Sequence, residues 1–222
     1  MATKRKTETQ SLPRGRHGLP RELIVENQRA RLVSGMIAAV AEAGYGKATV
    51  AKVIKSARVS RRTFYETFSD KEDCYRAAYE ASFEFLRDRT LGAASEEGWP
   101  TSVRAGLEAL LEGLAAHPDL ATFFLVSPAS VDDETASRHH TAMRELVEAL
   151  VAKAPDAGST DASSGTRIEA LAGGLARLTA MKVSSGRAEE LPALLPDLVE
   201  LFLRPFVGSE EAVRVAWGDD RS

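Results

Sequence analysis

The residues from Thr49 to Lys71, TVAKVIKSARVSRRTFYETFSDK, constrain the fold more than any other stretch of the chain. Thr49 and Ser60 are residue types preferred at helix N-caps, and each precedes a short segment with helical patterning. Arg58 and Val59 separate the two segments, so a turn of about three residues is expected between them. Two short helices joined in this way are the layout of a helix-turn-helix, whose second helix enters the major groove of DNA.

The side chains at the start of the second helix match the chemistry of base pairs. Arginine donates two hydrogen bonds to guanine, and threonine contacts the methyl group of thymine. We therefore expect Arg61, Arg62 and Thr63 to reach base edges. Phe64 and Phe68 are expected to hold the helix at a fixed angle as core residues, rather than to stack on bases.

The same stretch resembles the N-terminal signature of the tetracycline-repressor (TetR) family of bacterial transcription regulators. The resemblance covers about residues 26–80. Two positions depart from the family pattern: Arg58 stands where glycine is usual, and Thr67 where an aromatic residue or histidine is frequent. The residues that carry the resemblance are Val59-Ser60, Thr63-Phe64-Tyr65, Phe68 and Lys71-Glu72, preceded by Ala43-Gly44-Tyr45 and Thr49-Val50.

The resemblance implies roles for residues outside the base-reading set. Tyr65 and Lys71 would contact the phosphate backbone, and Thr49 would contribute its hydroxyl and the N-terminus of its helix. These contacts would fix the position of the protein on the duplex without reading its sequence. The predicted DNA-binding residues are Thr49, Ser60, Arg61, Arg62, Thr63, Tyr65 and Lys71.

The distribution of charge supports a DNA-binding N-terminal part. Residues 1–76 hold 16 Lys and Arg against 8 Asp and Glu, whereas residues 77–222 hold 13 against 24. Binding to a polyanion is therefore expected to be confined to the first third of the chain. Residues 1–20 are expected to be disordered without DNA. Their basic side chains form either an arm for the minor groove or a solubilising tail: Lys4, Arg5, Lys6, Arg14 and Arg16.

Apolar residues at three- and four-residue spacing predict an all-α fold. The basic arm would span residues 1–20, a helix-turn-helix DNA-binding domain 21–70, and a helical ligand-binding and dimerisation domain 71–217. The segment 155–165 has the composition of a mobile loop. Outside the helix-turn-helix, helices are predicted over about 22–43, 70–91, 100–116, 131–153, 167–184, 191–206 and 209–217, with a short apolar segment at 119–126.

The middle helices are expected, from the resemblance, to enclose a ligand pocket. His139, His140, Arg144 and Arg177 are candidates for its polar points, and Arg177 is included in the predicted site. A solid core with histidines on the surface is the alternative. The predicted apolar walls are Phe83, Leu107, Leu111, Phe123, Phe124, Met143 and Leu146.

The last third of the chain has the pattern of a subunit interface. Small residues beside a leucine stripe allow close helix packing, and the segment 191–206 is apolar on nearly every side. The resemblance implies a homodimer held by four helices, although burial within one subunit is the alternative. A two-fold dimer would bind half-sites about 34 Å apart in a near-palindromic operator. The predicted interface residues are Ile168, Leu171, Leu175, Leu178, Leu194, Leu198 and Phe202.

The function expected from these features is that of a homodimeric repressor released from double-stranded operator DNA by a small-molecule effector. Activation, or DNA binding without an effector, are alternatives, and so is a metal-dependent helical enzyme. Adjacent histidines such as His139 and His140 point about 100° apart on a helix, so they chelate a metal poorly. No catalytic residue, metal or cofactor is predicted. One cysteine and no run of about 18 apolar residues suit a cytoplasmic protein without a membrane span.

Overall fold

A computed structural model describes residues 21–93, 98–154 and 162–218. Over these residues the chain has no β-strand, which confirms the predicted all-α fold. The predicted basic arm, with Lys4, Arg5, Lys6, Arg14 and Arg16, lies outside them, as does most of the predicted loop at 155–165. The helices are α1 (Arg21–Ala43), α2 (Val50–Ala57), α3 (Arg61–Thr67), α4 (Lys71–Gly92), α5 (Trp99–Ala116), α6 (Pro118–Leu125), α7 (Asp133–Val151), α8 (Ala162–Ser184), α9 (Leu195–Val207) and α10 (Ser209–Trp217).

The start of the predicted helix at 191–206 is wrong. Residues Ala188–Leu194 form a 3₁₀ helix, and α9 begins only at Leu195. Two prolines account for the difference. Pro192 interrupts the hydrogen bonding of the earlier turn, while Pro196 occupies the first turn of α9, where a missing N–H does no harm.

The helix-turn-helix is built against α1. Phe64 of α3 and Phe68 just after it are almost completely buried, together with Val53 of α2 and Met36 of α1. Gly35 permits the close contact between α1 and α2, because a Cβ atom there would lie 2.8 Å from the Val53 carbonyl oxygen. The two phenylalanines are therefore core residues, and α2 and α3 form one packed unit with α1.

The turn between α2 and α3 accommodates its unusual residue. Arg58 has φ 52° and ψ 44°, the left-handed conformation that glycine adopts most easily. Its backbone N–H bonds to the carbonyl groups of Ile54 and Lys55, and Arg31 donates a 2.6 Å hydrogen bond to its carbonyl oxygen. The left-handed conformation that favours glycine is thus adopted here by a residue with a side chain, and α1 holds its carbonyl oxygen.

The second part of the chain is organised around α5, which packs against α4, α7, α9 and α10. The leucines along α5 are buried, and the Arg104 guanidinium holds the end of α10 by donating to the carbonyl oxygens of Val215 and Ala216. Trp99 donates its indole N–H to the Leu150 carbonyl oxygen at 3.0 Å and so attaches α5 to α7. None of the described helices is long and apolar enough to span a membrane.

Candidate nucleic-acid interface and ligand cavity

The start of α3 is fixed by its cap. Ser60 lies just before the helix, and its hydroxyl accepts a 3.0 Å hydrogen bond from the Thr63 N–H. The Ser60 and Thr63 hydroxyls also bond to each other at 2.8 Å. The hydroxyls of these two predicted DNA-binding residues therefore form hydrogen bonds that stabilise the helix N-terminus. Their oxygen atoms lie close to that exposed N-terminus.

The exposed face of α3 carries the long side chains. Arg61, Arg62 and Tyr65 are all exposed, and Arg61 lies over the Tyr65 ring at 5.7 Å from the centroid. Phe64, between them in sequence, is fully buried. The helix is held in place by its buried side and presents two guanidinium groups and a phenol to solvent. A DNA-recognition helix requires this arrangement.

Glu66 is a member of this surface that the sequence reasoning missed. The Arg62 Nε donates a 2.7 Å hydrogen bond to the Glu66 carboxylate, one helical turn away, and this carboxylate raises the pKa of Arg62. Both side chains are well exposed. The i, i+4 spacing of an arginine and a glutamate was the available signal. In the free protein, one of the two predicted base-reading arginines is therefore paired.

Lys71 lies beside this helix in a specific contact. Its ammonium group is 3.8 Å from the centroid of the Tyr45 ring and donates a 3.1 Å hydrogen bond to the Tyr45 carbonyl oxygen. Thr49 caps α2 by accepting from the Lys52 N–H at 3.3 Å. Thr67 turns its hydroxyl inward to the Thr63 carbonyl oxygen at 2.8 Å, so it does not supply the exposed aromatic or imidazole group seen in the family pattern.

A cavity of about 390 Å³ opens between α4 and α7. The α4 side contributes the aromatic side chains of Tyr75, Tyr79 and Phe83. The α7 side contributes a row of polar and charged residues that begins at Glu134 and ends at Glu145. The cavity has the size of a small-molecule site, with an apolar wall and polar groups converging on it.

Of the seven predicted pocket-wall residues, Phe83 lines this cavity and the other six do not. The other six apolar side chains point into the closed core between helices, where no more than 3 % of their surface is exposed. Arg177 lies on α8 beside a separate depression with Leu178 and Met181, and does not face the cavity. The six core residues are Leu107, Leu111, Phe123, Phe124, Met143 and Leu146.

The histidines of α7 have separate partners. His139 accepts or donates a 2.9 Å hydrogen bond at Nδ1 with the Tyr79 hydroxyl, and burial lowers the pKa of His139 to about 4, so the ring is neutral at pH 7. His140 faces the other way and lies 2.8 Å from the Glu169 carboxylate. Arg144 pairs with Glu148 and Glu169. Within the described part of the chain, no group of three potential ligands could hold a metal ion.

Aromatic contacts connect the cavity to the DNA-binding part. The Tyr75 ring packs edge-on against Tyr45 with the centroids 4.9 Å apart, and on its other side lies 4.9 Å from Phe123. The Tyr75 hydroxyl is bonded to the Ser127 hydroxyl at 2.9 Å, and burial raises its pKa to about 12. Tyr75 is thus a neutral, buried residue that lines the cavity and also contacts Tyr45, the residue on which the Lys71 ammonium group lies.

The predicted dimer-interface residues differ in their exposure within the single subunit. Leu171, Leu175, Leu198 and Phe202 are buried within the subunit, because α8 and α9 pack against α7, α5 and the 3₁₀ helix at 188–194. Ile168 and Leu194 are partly buried. Leu178, the remaining predicted interface residue, is exposed, as are other large apolar side chains on the outer faces of α8 and α9: Leu178 (39 %), Met181 (50 %) and Leu201 (42 %).

The N-terminal part of the chain matches one known protein family. Residues 37–78 match the family described as bacterial regulatory proteins, tetR family. The matched residues contain the end of α1, both helices of the helix-turn-helix and the first part of α4. Among proteins with curated descriptions, a sequence comparison finds no relative.

The fold as a whole resembles solved structures of bacterial regulators. The fatty acid degradation regulator FadR from Bacillus halodurans is 20 % identical with a TM-score of 0.68, over 78 % of this chain and 97 % of that one. FadR from Bacillus subtilis, in complex with stearoyl-CoA, is 17 % identical with a TM-score of 0.69, over 81 % and 98 %. A transcription regulator of the same family from Marinobacter aquaeolei VT8 is 19 % identical with a TM-score of 0.60, over 80 % and 95 %.

Proposed function

We propose that this chain, which belongs to the TetR family of bacterial regulatory proteins, acts in the cytoplasm as a homodimeric repressor that leaves its operator when a small molecule binds. The observation that carries the proposal is the arrangement of α3. Its buried Phe64 fixes the helix, while Arg61, Arg62 and Tyr65 project into solvent. Residues 21–70 would form the DNA-binding domain and residues 71–217 the effector and dimerisation domain. An enzymatic role is not part of the proposal.

The proposed contacts with DNA divide into two kinds. Arg61, Arg62 and Thr63 would meet base edges in the major groove, where arginine and threonine distinguish base pairs. Tyr65 and Lys71 would contact phosphates, and the capped N-termini of α2 and α3 would face the backbone with their partial positive charge. Thr49 and Ser60 would contribute the hydroxyls at these two termini.

The proposed dimer uses the exposed apolar residues rather than the buried stripe. Leu178, Met181 and Leu201 lie on the outer faces of α8 and α9, and the open space around Gly173, also on α8, leaves room for a close approach of a partner helix. A two-fold axis through this surface would present two copies of α3 to one face of the duplex. The operator would then consist of two inverted half-sites about one helical turn apart.

The proposed effector site is the cavity between α4 and α7. A ligand there would contact Tyr75 and Tyr79, which stand on the helix that also carries Lys71. Release of DNA requires that the ligand bind the released arrangement more tightly than the DNA-bound one. The cavity favours such regulation over constitutive DNA binding.

The test is selection of bound duplexes from a random pool by the full-length protein at fixed salt concentration. A near-palindromic consensus with half-sites about 10 base pairs apart is the expected result. Sedimentation of the protein with the selected duplex would measure the number of subunits bound. Recovery of no consensus, or of one asymmetric site bound by a single subunit, would reject the proposal.

A further inference from the structure

We infer that the cavity between α4 and α7 binds an organic cation with a flat, apolar body, an inference that rests on the proposed regulation by a small molecule. The first observation is the stack of aromatic rings at the cavity. Phe83 and Phe124 are nearly parallel, with an interplanar angle of 9°, and Tyr79 stacks on Phe124 with the centroids 5.2 Å apart. Of these three rings, Phe83 and Tyr79 line the cavity. The faces of such rings attract flat apolar groups and cations.

The arginines at the cavity are already paired with carboxylates. Arg138 lies 3.0 Å from Glu134, and its guanidinium donates to the same oxygen through two nitrogen atoms. Arg76 lies within 4.0 Å of both Glu72 and Asp73. An incoming anion would have to compete with these neighbours for either guanidinium group.

Two carboxylates at the cavity have no such partner. Glu80 on α4 and Glu145 on α7 both line it, and neither makes an ion pair or a side-chain hydrogen bond with another described residue. The lining therefore contains three glutamates against two arginines, and the unpaired charges are both negative. The surrounding part of the chain, residues 77–222, is also acidic, with 13 Lys and Arg against 24 Asp and Glu.

The combination selects a ligand class. A flat apolar body fits the aromatic wall, and a positive charge near the mouth would be attracted to Glu80 and Glu145 beside a low-dielectric surface. The volume of about 390 Å³ suits a ligand of modest size. The Bacillus subtilis structure contains stearoyl-CoA, which is an anion. The present chain differs, because a negative headgroup at this cavity would lie next to two uncompensated carboxylates.

The experiment compares two flat aromatic probes of similar size and opposite charge, N-methylquinolinium and naphthalene-2-carboxylate. Calorimetric titration of the full-length protein is expected to show binding of the cation and at least about tenfold weaker binding of the anion. The double variant E80Q/E145Q is expected to weaken binding of the cation by about tenfold and to leave the melting temperature unchanged. E84Q is the matched control, since Glu84 is an exposed glutamate of α4 that does not line the cavity.

The outcomes separate this inference from the proposed function. Equal binding of both probes, binding of neither, or cation binding that is insensitive to E80Q/E145Q would overturn the inference. Selection of DNA needs no ligand and tests the regulator separately. A protein that selects a palindromic duplex but does not bind N-methylquinolinium remains a DNA-binding regulator and is not a sensor of cations. If the protein binds the cation through Glu80 and Glu145 but selects no duplex, the cation site is supported and the proposed function as a DNA-binding regulator is rejected.

Discussion

The Lys71 ammonium group lies on the face of the Tyr45 ring, 3.8 Å from its centroid, and donates a hydrogen bond to the Tyr45 carbonyl oxygen. Tyr45 also contacts Tyr75, which lines the cavity between α4 and α7. One aromatic ring therefore separates a proposed phosphate contact from a proposed ligand contact. A change in the position of Tyr75 would reach Lys71 through direct contacts.

Replacing Lys71 by alanine should weaken binding to all DNA sequences alike. A lysine that contacts a phosphate releases about one counterion, so we expect the slope of log K against log salt to become shallower by roughly one. Fluorescence anisotropy with the selected duplex and an unrelated one, at several salt concentrations, would measure both effects. Lys153→Ala is the control, because Lys153 is exposed at the end of α7. A slope unchanged by Lys71→Ala would remove Lys71 from the DNA interface.

Replacing Arg62 by alanine should instead relax sequence preference. A bidentate contact with guanine contributes about 1–3 kcal/mol of discrimination at one base pair, so preference at that position should fall while binding to unrelated DNA changes less. Binding to duplexes mutated at each position of the half-site would measure this effect. Glu66→Gln provides the comparison. It breaks the 2.7 Å ion pair but keeps the guanidinium, and should retain the preference that Arg62→Ala loses. If Arg62→Ala keeps the same sequence preference as Glu66→Gln, the assignment of Arg62 to a base contact is contradicted.

Replacing Gly35 by alanine should destabilise the DNA-binding domain. The added methyl group would lie 2.8 Å from the Val53 carbonyl oxygen and 3.0 Å from Ala57, and neither backbone can move without separating α1 from α2. Overpacking of this kind typically reduces the free energy of unfolding by about 1–3 kcal/mol. Denaturant unfolding followed by circular dichroism would measure it. Gly46→Ala is the matched control, since open space surrounds that position; equal stability of the two variants would refute the packing argument.

The stability of the folded chain should fall as the pH is lowered from about 6.5 to about 4. Burial keeps His139 neutral in the folded state, with a pKa of about 4 against 6.5 for an ordinary histidine. Between these values the unfolded chain binds a proton that the folded chain does not, so acid favours unfolding by at most about 3 kcal/mol. His139→Gln, which keeps an acceptor for the Tyr79 hydroxyl, should flatten the pH dependence of unfolding. A pH dependence of unfolding that is unchanged in His139→Gln would exclude His139 as its source.

Replacing Leu178 by glutamate should disrupt the proposed dimer. The side chain is 39 % exposed in the single subunit, so the charge is tolerated there, but it would be buried without a partner at a subunit interface. We expect the dissociation constant of the dimer to rise by about a hundredfold or more. Analytical ultracentrifugation would measure it. Leu23→Glu tests a similarly exposed leucine, on α1. A Leu178→Glu protein that dimerises like the unmodified chain would place the interface elsewhere.

The first residues of α2, α3 and α4, the helices of and next to the helix-turn-helix, could be predicted because the sequence signals for them are local. Thr49 and Ser60 are predicted N-caps, and each accepts a hydrogen bond from the backbone N–H three residues later, as Asp70 also does at the start of α4. A cap depends only on neighbouring residues and its chemistry is visible in the sequence. The same holds for Phe64 and Phe68, whose burial follows from the amphipathic pattern of a short helix.

The cavity and the subunit surface could not be predicted in the same way. The spacing of Leu107 and Leu111 shows that one face of α5 is buried, but not whether a neighbouring helix or an empty space lies opposite. The structure places solid core there, and uses the adjacent turns of α4, with Tyr75 and Tyr79, for the cavity. Likewise the leucine stripe of α8 includes Leu175, buried in the subunit, and Leu178, which is exposed. That distinction depends on the crossing of helices distant in sequence.

The continuity of α4 has a further mechanical consequence. Lys71 and Phe83 stand on one helix with no proline between them, twelve residues and therefore about 18 Å apart. A stiff rod of that length turns a tilt of about five degrees at one end into a displacement of about 1.5 Å at the other. That displacement is roughly half the donor–acceptor distance of a hydrogen bond. It is enough to break a contact between an ammonium group and a phosphate oxygen.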